Sequence, residues 1–256
     1  MEYIVFDLEF NQGFDKKLNK TVSDEKCPFE IIQIGAVKLD SNFKMIDTFN
    51  TFIKPNIYKD IHPFIKKMTG ITNEDVKNAP SFKDAFNMFM RFISNDKSNI
   101  LCVWGTGDLK EMYRNIRYYN LSTDNLINTY INVQQHASAY FNNPSGKSIG
   151  LQNAISLLKL DEDKSYHNAL NDAYYTSLVF KKIYNEKIEA KLYNFENENQ
   201  NKKTNNKRKS NYDSIFNEFK KILNRDLNKD EKKIIHIAYK MGRKSKSSKG
   251  KNNSKK

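Results

Sequence analysis

The sequence is poor in the residues and segments that mark secreted and membrane proteins. Its 256 residues include two cysteines, Cys27 and Cys102, which are too few for a disulfide framework and lack the CxxC spacing of a structural zinc site. No stretch approaches the roughly 18 consecutive apolar residues of a transmembrane helix. The N-terminus has no charged segment followed by an apolar segment and a small-residue cleavage site. We therefore expect a protein of a reducing compartment, most simply the cytoplasm, with no membrane partner.

The length and composition are enough for one sizeable folded body. Hydrophobic residues make up 38% of the chain and aromatic residues 12%, which is enough to form a core. The 29% of charged residues and the mean hydropathy of −0.76 predict that part of the chain is not packed. A chain of this length holds one large domain, or one domain with an appendage.

Excess positive charge is absent from most of the chain and concentrated in its last quarter. Residues 1–190 hold 23 Lys and Arg and 23 Asp and Glu, so they are neutral. Residues 191–256 hold 20 Lys and Arg and 7 Asp and Glu, which accounts for the whole net charge of +13. This asymmetry indicates a polyanionic partner, and nucleic acid is the first candidate. Before any motif is considered, a membrane surface and a tail that merely keeps the protein in solution are the alternatives.

The hydrophobic pattern predicts strands first, and then strands that alternate with helices. Strands are predicted over residues 3–9, 31–39, 45–53 and 100–104, with a loop over residues 11–29. Helices are predicted to open at Thr72 and Ser81, to follow Asp108, and to cover residues 148–158 and 168–187. This order is typical of an α/β layer architecture with a mixed sheet.

The same patterns divide the chain into four segments. They predict a folded domain over residues 1–190, a polar linker over 191–210, a helical hairpin over 211–241 and a disordered basic tail over 242–256. The linker is rich in Asn, Glu, Gln and Lys, with almost nothing apolar. The helical hairpin opens with a helical stripe of apolar residues, and the tail has seven basic residues and no acidic one.

Three acidic residues lie where predicted strands end and a helix begins. Asp7 and Glu9 are two positions apart, so their side chains project from the same face of the first strand. Such charges repel each other unless a cation neutralises them, although a solvated strand end explains most isolated pairs. Asp108 follows the strand 100–104 through a Gly-Thr-Gly turn. An aspartate there is equally explained by the dipole of the helix that follows.

A histidine and a further aspartate lie five positions apart. On one continuous helix, His167 and Asp172 would point about 140° apart and could not face one site. They can face one site if Asn168 caps the helix, because His167 then lies on the preceding loop. The pair therefore predicts a helix that begins directly after Asn168.

Taken together, these residues follow the order DxE, D and HxxxxD, which resembles the DEDDh 3′–5′ exonucleases over residues 2–188. The resemblance rests on FDLEF at 6–10, WGTGD at 104–108 and YHNALNDA at 166–173. IGA at 34–36, MTGIT at 68–72 and APSF at 79–82 resemble the connecting segments of the family. The sequence looks most like the ERI-type and KapD-like RNA exonucleases. The DEDDy group is excluded, because Asn168 stands where that group requires tyrosine.

The resemblance implies a fold and a metal site. The fold is RNase H-like, with a mixed central sheet flanked by helices and, in this chain, a small basic helical appendage at the C-terminus. The site holds two Mg²⁺ or Mn²⁺ ions, about 3.5–4 Å apart, that activate a water and stabilise the leaving oxygen. By the resemblance, Asp7 bridges both ions, Glu9 and Asp172 complete one site, and Asp108 serves the other. Carboxylate oxygens are the ligands that such cations prefer.

The resemblance also implies contacts with the substrate. His167 is the general base for the attacking water, since the pKa of histidine lies near working pH. Glu9, which acts in catalysis as well as in metal binding, touches the 3′-OH of the terminal nucleotide together with the backbone of Phe10. Met68 packs on the terminal base.

The function predicted from the sequence is metal-dependent 3′–5′ exonuclease activity. Its substrate is single-stranded RNA or a 3′ overhang, from which it releases nucleoside monophosphates, with RNA favoured over DNA. One alternative keeps the enzyme but makes it a DNA-directed, proofreading-type exonuclease. The other is a non-catalytic nucleic-acid-binding module on a nuclease fold. The complete set of four carboxylates and His167 favours an enzyme, since loss of any metal ligand would have favoured the module.

Overall fold

A computed structural model gives the fold of the 256-residue chain. The residues it describes are 1–94, 96–123, 126–144, 147–194, 215–235 and 237–238. The chain divides into two units, Met1–Phe195 and Glu196–Lys256.

The first unit is built on a mixed six-stranded sheet. In chain order, strands β1 to β8 span Tyr3–Asn11, Gly13–Asp15, Lys20–Val22, Glu30–Leu39, Met45–Phe52, Ile100–Val103, Thr129–Asn132 and Lys191–Leu192. The strand order across the sheet is β5-β4-β1-β6-β7-β8, and β2 and β3 form a separate hairpin. β1 pairs antiparallel with β4 and parallel with β6. The α/β architecture with a mixed sheet, predicted from the sequence, is confirmed.

Seven helices cover the sheet of the first unit within the described residues. Helices α1 to α7 span Pro63–Thr69, Asn73–Lys77, Phe82–Ile93, Gly107–Tyr118, Val133–Tyr140, Leu151–Leu157 and Ala169–Ile183. The predicted helix starts at Thr72 and Ser81 are both present, because each side chain accepts a hydrogen bond from a backbone N–H three residues later. In α3 the buried residues recur every three or four positions, which turns one face to the sheet.

The two faces of the sheet carry separate hydrophobic cores. One core joins Phe6 and Ile34 to the apolar faces of α3 and α4, where Phe89 and Ile116 are buried. The other core packs the apolar face of α7 against the opposite face of the sheet. β1 lies between the two cores, so five of its first six residues are buried.

Several elements differ from the sequence-based prediction, and α1 and β8 were not predicted. The predicted loop over residues 11–29 contains the hairpin of β2 and β3, whose short strands carry no alternating apolar pattern. β7 and α5 were not predicted, because Asn132 both ends the strand and caps the helix, so no turn residues separate them. α7 ends at Ile183 rather than at residue 187, because Tyr184 leaves the helix and packs against Phe43, with ring centroids 4.5 Å apart.

The described part of the second unit contains a helix over residues 215–223 and a further helix that begins at residue 229. Arg225 joins the two through an ion pair with Glu231 at 2.6 Å. Most of the predicted linker and all of the predicted tail, residues 242–256, lie outside the described residues. Among the residues that are described, no helix is long and apolar enough to span a membrane.

Candidate active site

The predicted site residues converge at one edge of the sheet. β1 and β6 are parallel, so their carboxyl ends lie side by side, and Val5 pairs with Cys102. Asp7 and Glu9 occupy the last part of β1. β6 ends at Val103, and a tight turn containing Gly105, with φ +93°, leads into α4. Asp108 lies in the first turn of that helix and so joins the same edge.

The start of α7 brings the third motif to this edge. Asn168 is the N-cap of α7, as predicted, and its side chain accepts hydrogen bonds from the backbone N–H groups of Leu170 and Asn171. His167 lies before the helix with φ +61°, a backbone conformation that is uncommon outside glycine. The backbone N–H of His167 donates a 3.2 Å hydrogen bond to Asp172 Oδ2, which ties the histidine to the aspartate.

Gly35 allows α7 to approach the sheet closely enough for this arrangement. Gly35 pairs with Asp7 across β4 and β1. A Cβ atom on Gly35 would lie 2.0 Å from the backbone nitrogen of Leu170 and 2.2 Å from the backbone carbon of Ala169. Any side chain would therefore push the first turn of α7 away from β1 and carry Asp172 with it.

Gln33 holds the same helix start and was not predicted from the sequence. Its side chain is fully buried, and its Oε1 accepts a 3.2 Å hydrogen bond from the backbone N–H of Ala169. Its Nε2 donates to Asn50 Oδ1 at 2.9 Å, which fixes the orientation of the amide. The signal that could have found it is an amide inside an otherwise apolar strand, since a buried amide requires partners.

Glu9, His167 and Asp172 form a cluster that can hold a metal ion. One ligand atom from each of the three lies within 4.8 Å of the others. Asp172 Oδ1 is buried and has no hydrogen-bond partner among the described residues. A buried carboxylate oxygen without a donor is costly, and a cation at this position would remove that cost. The donor set of carboxylates and one imidazole fits a hard divalent cation.

The negative charges at this edge raise the pKa values of Asp7, Glu9 and Asp108. Loss of solvent, followed by the charges of Asp108, Asp172 and Glu9, raises the pKa of Asp7 well above its usual range. Burial, and then the charges of Asp172 and Asp108, raise the pKa of Glu9 to about 8. Burial is also the largest cause that raises the pKa of Asp108, to about 7. Each carboxylate therefore resists ionisation until a cation compensates the shared charge.

Opposing effects act on the pKa of Asp172. Burial raises its pKa, but the hydrogen bond from the His167 backbone and the charge of the His167 ring lower it. His167 is exposed, so the ring can meet both Asp172 and an incoming substrate. An exposed imidazole beside a carboxylate that can bind a metal ion is suited to accept a proton from a bound water.

The two other predicted substrate contacts lie on β1 and on a helix that touches it. Phe10 is half-buried, and its ring packs edge-to-face against Phe29 with the centroids 6.1 Å apart. Met68 lies on α1, which contacts β1, and 36% of it is exposed.

Curated relatives of this sequence include DNA polymerase III proteins. DNA polymerase III PolC-type from Caldanaerobacter subterraneus subsp. tengcongensis is 29% identical over 183 residues, which cover 71% of this chain and 11% of the relative. DNA polymerase III subunit epsilon from Aquifex aeolicus is 26% identical over 196 residues, covering 72% of this chain and 81% of the relative. The chain thus spans about a tenth of the length of the PolC-type protein.

Solved structures share the fold at lower sequence identity. The nuclease domain of 3′hExo, described as a DEDDh family member bound to rAMP, superposes with a TM-score of 0.63 at 18% identity, covering 75% of this chain and 96% of that one. E. coli Exonuclease I in complex with a dA16 oligonucleotide gives a TM-score of 0.52 at 18% identity. The superposition covers 70% of this chain and 40% of Exonuclease I. These similarities confirm the RNase H-like exonuclease fold.

The family model RNase_T, described as an exonuclease family, matches residues 4–180. The match includes Asp7, Glu9, Asp108, His167 and Asp172, and it covers well over half of the chain. The resemblance to DEDDh exonucleases is therefore confirmed, and the chain belongs to the RNase_T exonuclease family.

Proposed function

We propose that this protein is a metal-dependent 3′–5′ exonuclease that releases nucleoside monophosphates from single-stranded nucleic acid. The observation that carries the proposal is the convergence of Glu9, His167 and Asp172 within 4.8 Å, together with the charges of Asp7 and Asp108. A binding module would have no need for carboxylates that repel one another at the edge of a sheet. The complete set therefore supports an enzyme over a non-catalytic module.

The side chains divide the work of hydrolysis between them. Asp7, Glu9, Asp108 and Asp172 would hold Mg²⁺ or Mn²⁺, which supplies charge neutralisation and lowers the pKa of a bound water. His167 accepts the proton of the attacking water, because its ring is exposed beside Asp172. Glu9 and the Phe10 backbone receive the 3′-OH of the terminal nucleotide, and Met68 offers an apolar surface to its base.

RNA and DNA are both candidate substrates, and different observations favour each. RNA is the substrate predicted from the sequence, and a protein of the same fold is described as a 3′-exonuclease that recognises a histone mRNA stem-loop. DNA is favoured by the curated relatives, which are DNA polymerase III components. A proofreading-type activity on DNA is therefore the second candidate. Discrimination depends on contacts with the 2′-OH.

The test uses 5′-labelled RNA and DNA oligonucleotides of the same sequence, incubated with the protein and MnCl₂ or MgCl₂. We expect a ladder of products that shortens from the 3′ end, on one of the two substrates or faster on one, and no ladder in EDTA. The Asp7→Asn variant, purified in parallel, controls for contaminating nucleases. Absence of a ladder on both substrates, or a ladder that persists in EDTA, would contradict the proposal.

The compartment proposed for this activity is a reducing one, such as the cytoplasm. Cys27 and Cys102 are both free and buried, so neither takes part in a disulfide.

A further inference from the structure

The hairpin of β2 and β3 follows directly after β1, the strand that carries Asp7 and Glu9. Its strands pair antiparallel from Gly13↔Val22 to Asp15↔Lys20, apart from the six-stranded sheet. Gly13 is four residues after Glu9, so the Cα atom at the base of the hairpin lies within about 14 Å of the Cα atom of Glu9. The hairpin is therefore positioned to meet a substrate whose 3′ end is bound at Glu9.

His62 joins the hairpin to α1. His62 is the N-cap of α1, and its Nδ1 accepts a 3.0 Å hydrogen bond from the backbone N–H of Phe64. The neutral ring therefore carries its proton on Nε2, which donates to Thr21 Oγ1 at 3.0 Å. The ring of Phe14 packs edge-on against the imidazole, with the centroids 4.8 Å apart. The hairpin and α1 thus form one continuous surface.

Asn11 fixes this surface to the end of β1. Asn11 is fully buried, and its Oδ1 accepts a 2.9 Å hydrogen bond from the backbone N–H of His62. Its Nδ2 donates to the backbone carbonyls of Tyr58 and Asp60, both at 3.1 Å. The buried side chain of Asn11 therefore holds the start of α1, and through His62 the hairpin, two residues from Glu9.

The outer side of this surface combines free cations with exposed apolar side chains. Lys17, Lys20, Lys66 and Lys67 are exposed, and none of their ammonium groups has a hydrogen bond or ion pair within the described part of the chain. Leu18 and Phe64 are each 62% exposed, and Met68 is 36% exposed. Lysines that track phosphates and side chains that pack on bases are the composition of sites that bind single strands without regard to sequence.

The negative charge of the neighbouring site explains why a cationic surface would help a nucleic acid to bind. Four carboxylates converge at the end of β1, and residues 1–190 as a whole carry no net charge. A polyanion that approaches this edge meets repulsion unless cations lie close by. The hairpin has three lysines and one aspartate over residues 13–22, so it supplies local positive charge beside the site.

We infer that the hairpin and the first part of α1 form a substrate wall, residues 13–22 and 63–67, that binds nucleotides upstream of the one to be removed. The inference rests on the proposed exonuclease function. Lys17 and Lys20 contact the phosphates of those nucleotides, and Phe64 offers a ring to a base. The substrate wall holds the strand and takes no part in the chemistry, so it affects long substrates and not a single nucleotide ester.

The test compares two pairs of substitutions that each remove two exposed lysines. Lys17→Ala/Lys20→Ala changes the substrate wall. Lys181→Ala/Lys182→Ala, in the last turn of α7, removes the same charge about 14 Å along the helix from Asp172. Each protein is assayed on an oligonucleotide of about 12 nucleotides and on the p-nitrophenyl ester of thymidine 5′-monophosphate, which has no upstream nucleotide.

We expect Lys17→Ala/Lys20→Ala to raise KM for the oligonucleotide about tenfold and to leave kcat and turnover of the ester unchanged. The slope of log affinity against log salt should fall by about 0.7 for each phosphate that the variant no longer neutralises. Phe64→Ala should raise KM without changing the salt slope, because it removes stacking and no charge. The inference would be overturned if Lys17→Ala/Lys20→Ala left KM and the salt slope unchanged. It would also be overturned if Lys181→Ala/Lys182→Ala changed them equally.

A binding measurement separates this inference from the proposed function. Fluorescence anisotropy with the 5′-fluorescein-labelled oligonucleotide in CaCl₂ reports binding whether or not the strand is cleaved. If the wild-type protein cleaves neither substrate, the proposed function fails. The inference of a substrate wall is then still supported if binding is weaker in Lys17→Ala/Lys20→Ala and unchanged in Lys181→Ala/Lys182→Ala. It is contradicted if both variants bind the oligonucleotide equally well.

Discussion

The two sides of the end of β1 are built in opposite ways. On the α7 side, the backbone of α7 packs on the backbone at Gly35, and a buried amide from Gln33 holds the helix start. One carboxylate oxygen of Asp172, Oδ1, is buried there. On the other side, the substrate wall is anchored from within by Asn11 but presents exposed lysines and apolar side chains outward. The first side concentrates negative charge, and the second supplies positive charge.

This difference separates chemistry from substrate binding. A site that stabilises ions and activates water requires positions fixed to a fraction of an ångström, which backbone contacts can provide. A surface that holds many different sequences requires charge and stacking, and it tolerates exposed side chains. Substitutions on the α7 side, or in β1 itself, should therefore lower kcat, whereas substitutions on the substrate wall should raise KM.

The largest effect is expected from Asp7→Asn. The substitution keeps the shape but removes the carboxylate on which the charges of Glu9, Asp108 and Asp172 all act, so divalent ions should bind poorly. We expect kcat to fall by at least ~10³ on long and short substrates alike, with the fold retained. Single-turnover cleavage in MgCl₂ measures this, with circular dichroism as the control for folding. Near-normal cleavage would exclude a metal site centred on Asp7.

A somewhat smaller effect is expected from His167→Ala. If the ring accepts the proton of the attacking water, kcat should fall by about 10²–10³ and the acidic limb of the pH–rate profile should disappear. Because His167 lies within 4.8 Å of Glu9 and Asp172, the alternative role for its ring is that of a metal ligand. Titration with MnCl₂ distinguishes the two roles. Retained Mn²⁺ affinity supports a general base, and collapsed affinity supports a ligand.

Gly35→Ala tests whether backbone packing positions the chemistry. The added Cβ would meet the Leu170 nitrogen at 2.0 Å, so the start of α7 must move. A shift of about 1 Å in Asp172 would lower kcat by about 10²-fold. The unfolding free energy should also fall by about 1–3 kcal/mol. Val37→Ala in the same strand is the control, because it removes side-chain atoms from the core on the α7 face and adds none against the first turn of α7. Equal kcat losses in the two variants would contradict a positioning role for Gly35.

The sequence predicts those features that depend on local spacing. The same-face carboxylates of β1 and the cap at Asn168 follow from the periods of strand and helix, and both are present. The roles of Gly35 and Gln33 depend on contacts between residues more than 130 positions apart, which no local pattern contains. The hairpin of β2 and β3 escaped prediction for a related reason, because His62 and Asn11 hold it through tertiary hydrogen bonds.

A smaller effect concerns stability of the metal-free protein. The pKa of Glu9 is raised to about 8 and that of Asp108 to about 7, so the folded state binds more protons than the unfolded state above about pH 4. Their contribution to stability therefore falls as pH rises from about 5 to 8. Asp60 and Asp75, whose pKa values are lowered, act in the opposite sense at more acidic pH.

We expect Tm in EDTA to fall over this pH range and MnCl₂ to restore it, with the larger increase at the higher pH. Differential scanning fluorimetry at several pH values measures this. Glu9→Gln should flatten the fall in EDTA, because one of the repelling groups can no longer ionise. An equal fall in the wild type and in Glu9→Gln would show that these carboxylates do not set the pH dependence.

The smallest effect is expected from the C-terminal tail, whose seven basic residues over 242–256 give the chain a third source of charge. If the tail contacts phosphates, replacing those seven residues with glutamine should raise KM for long oligonucleotides and leave short ones unchanged. The salt slope should fall by about 0.7 for each phosphate that the tail had neutralised. The replacement keeps the length of the chain, so it isolates charge. If the tail acts independently of the substrate wall, the two sets of substitutions should add in log KM on long substrates. Identical salt slopes for the wild type and the glutamine variant would leave the tail a role in solubility alone.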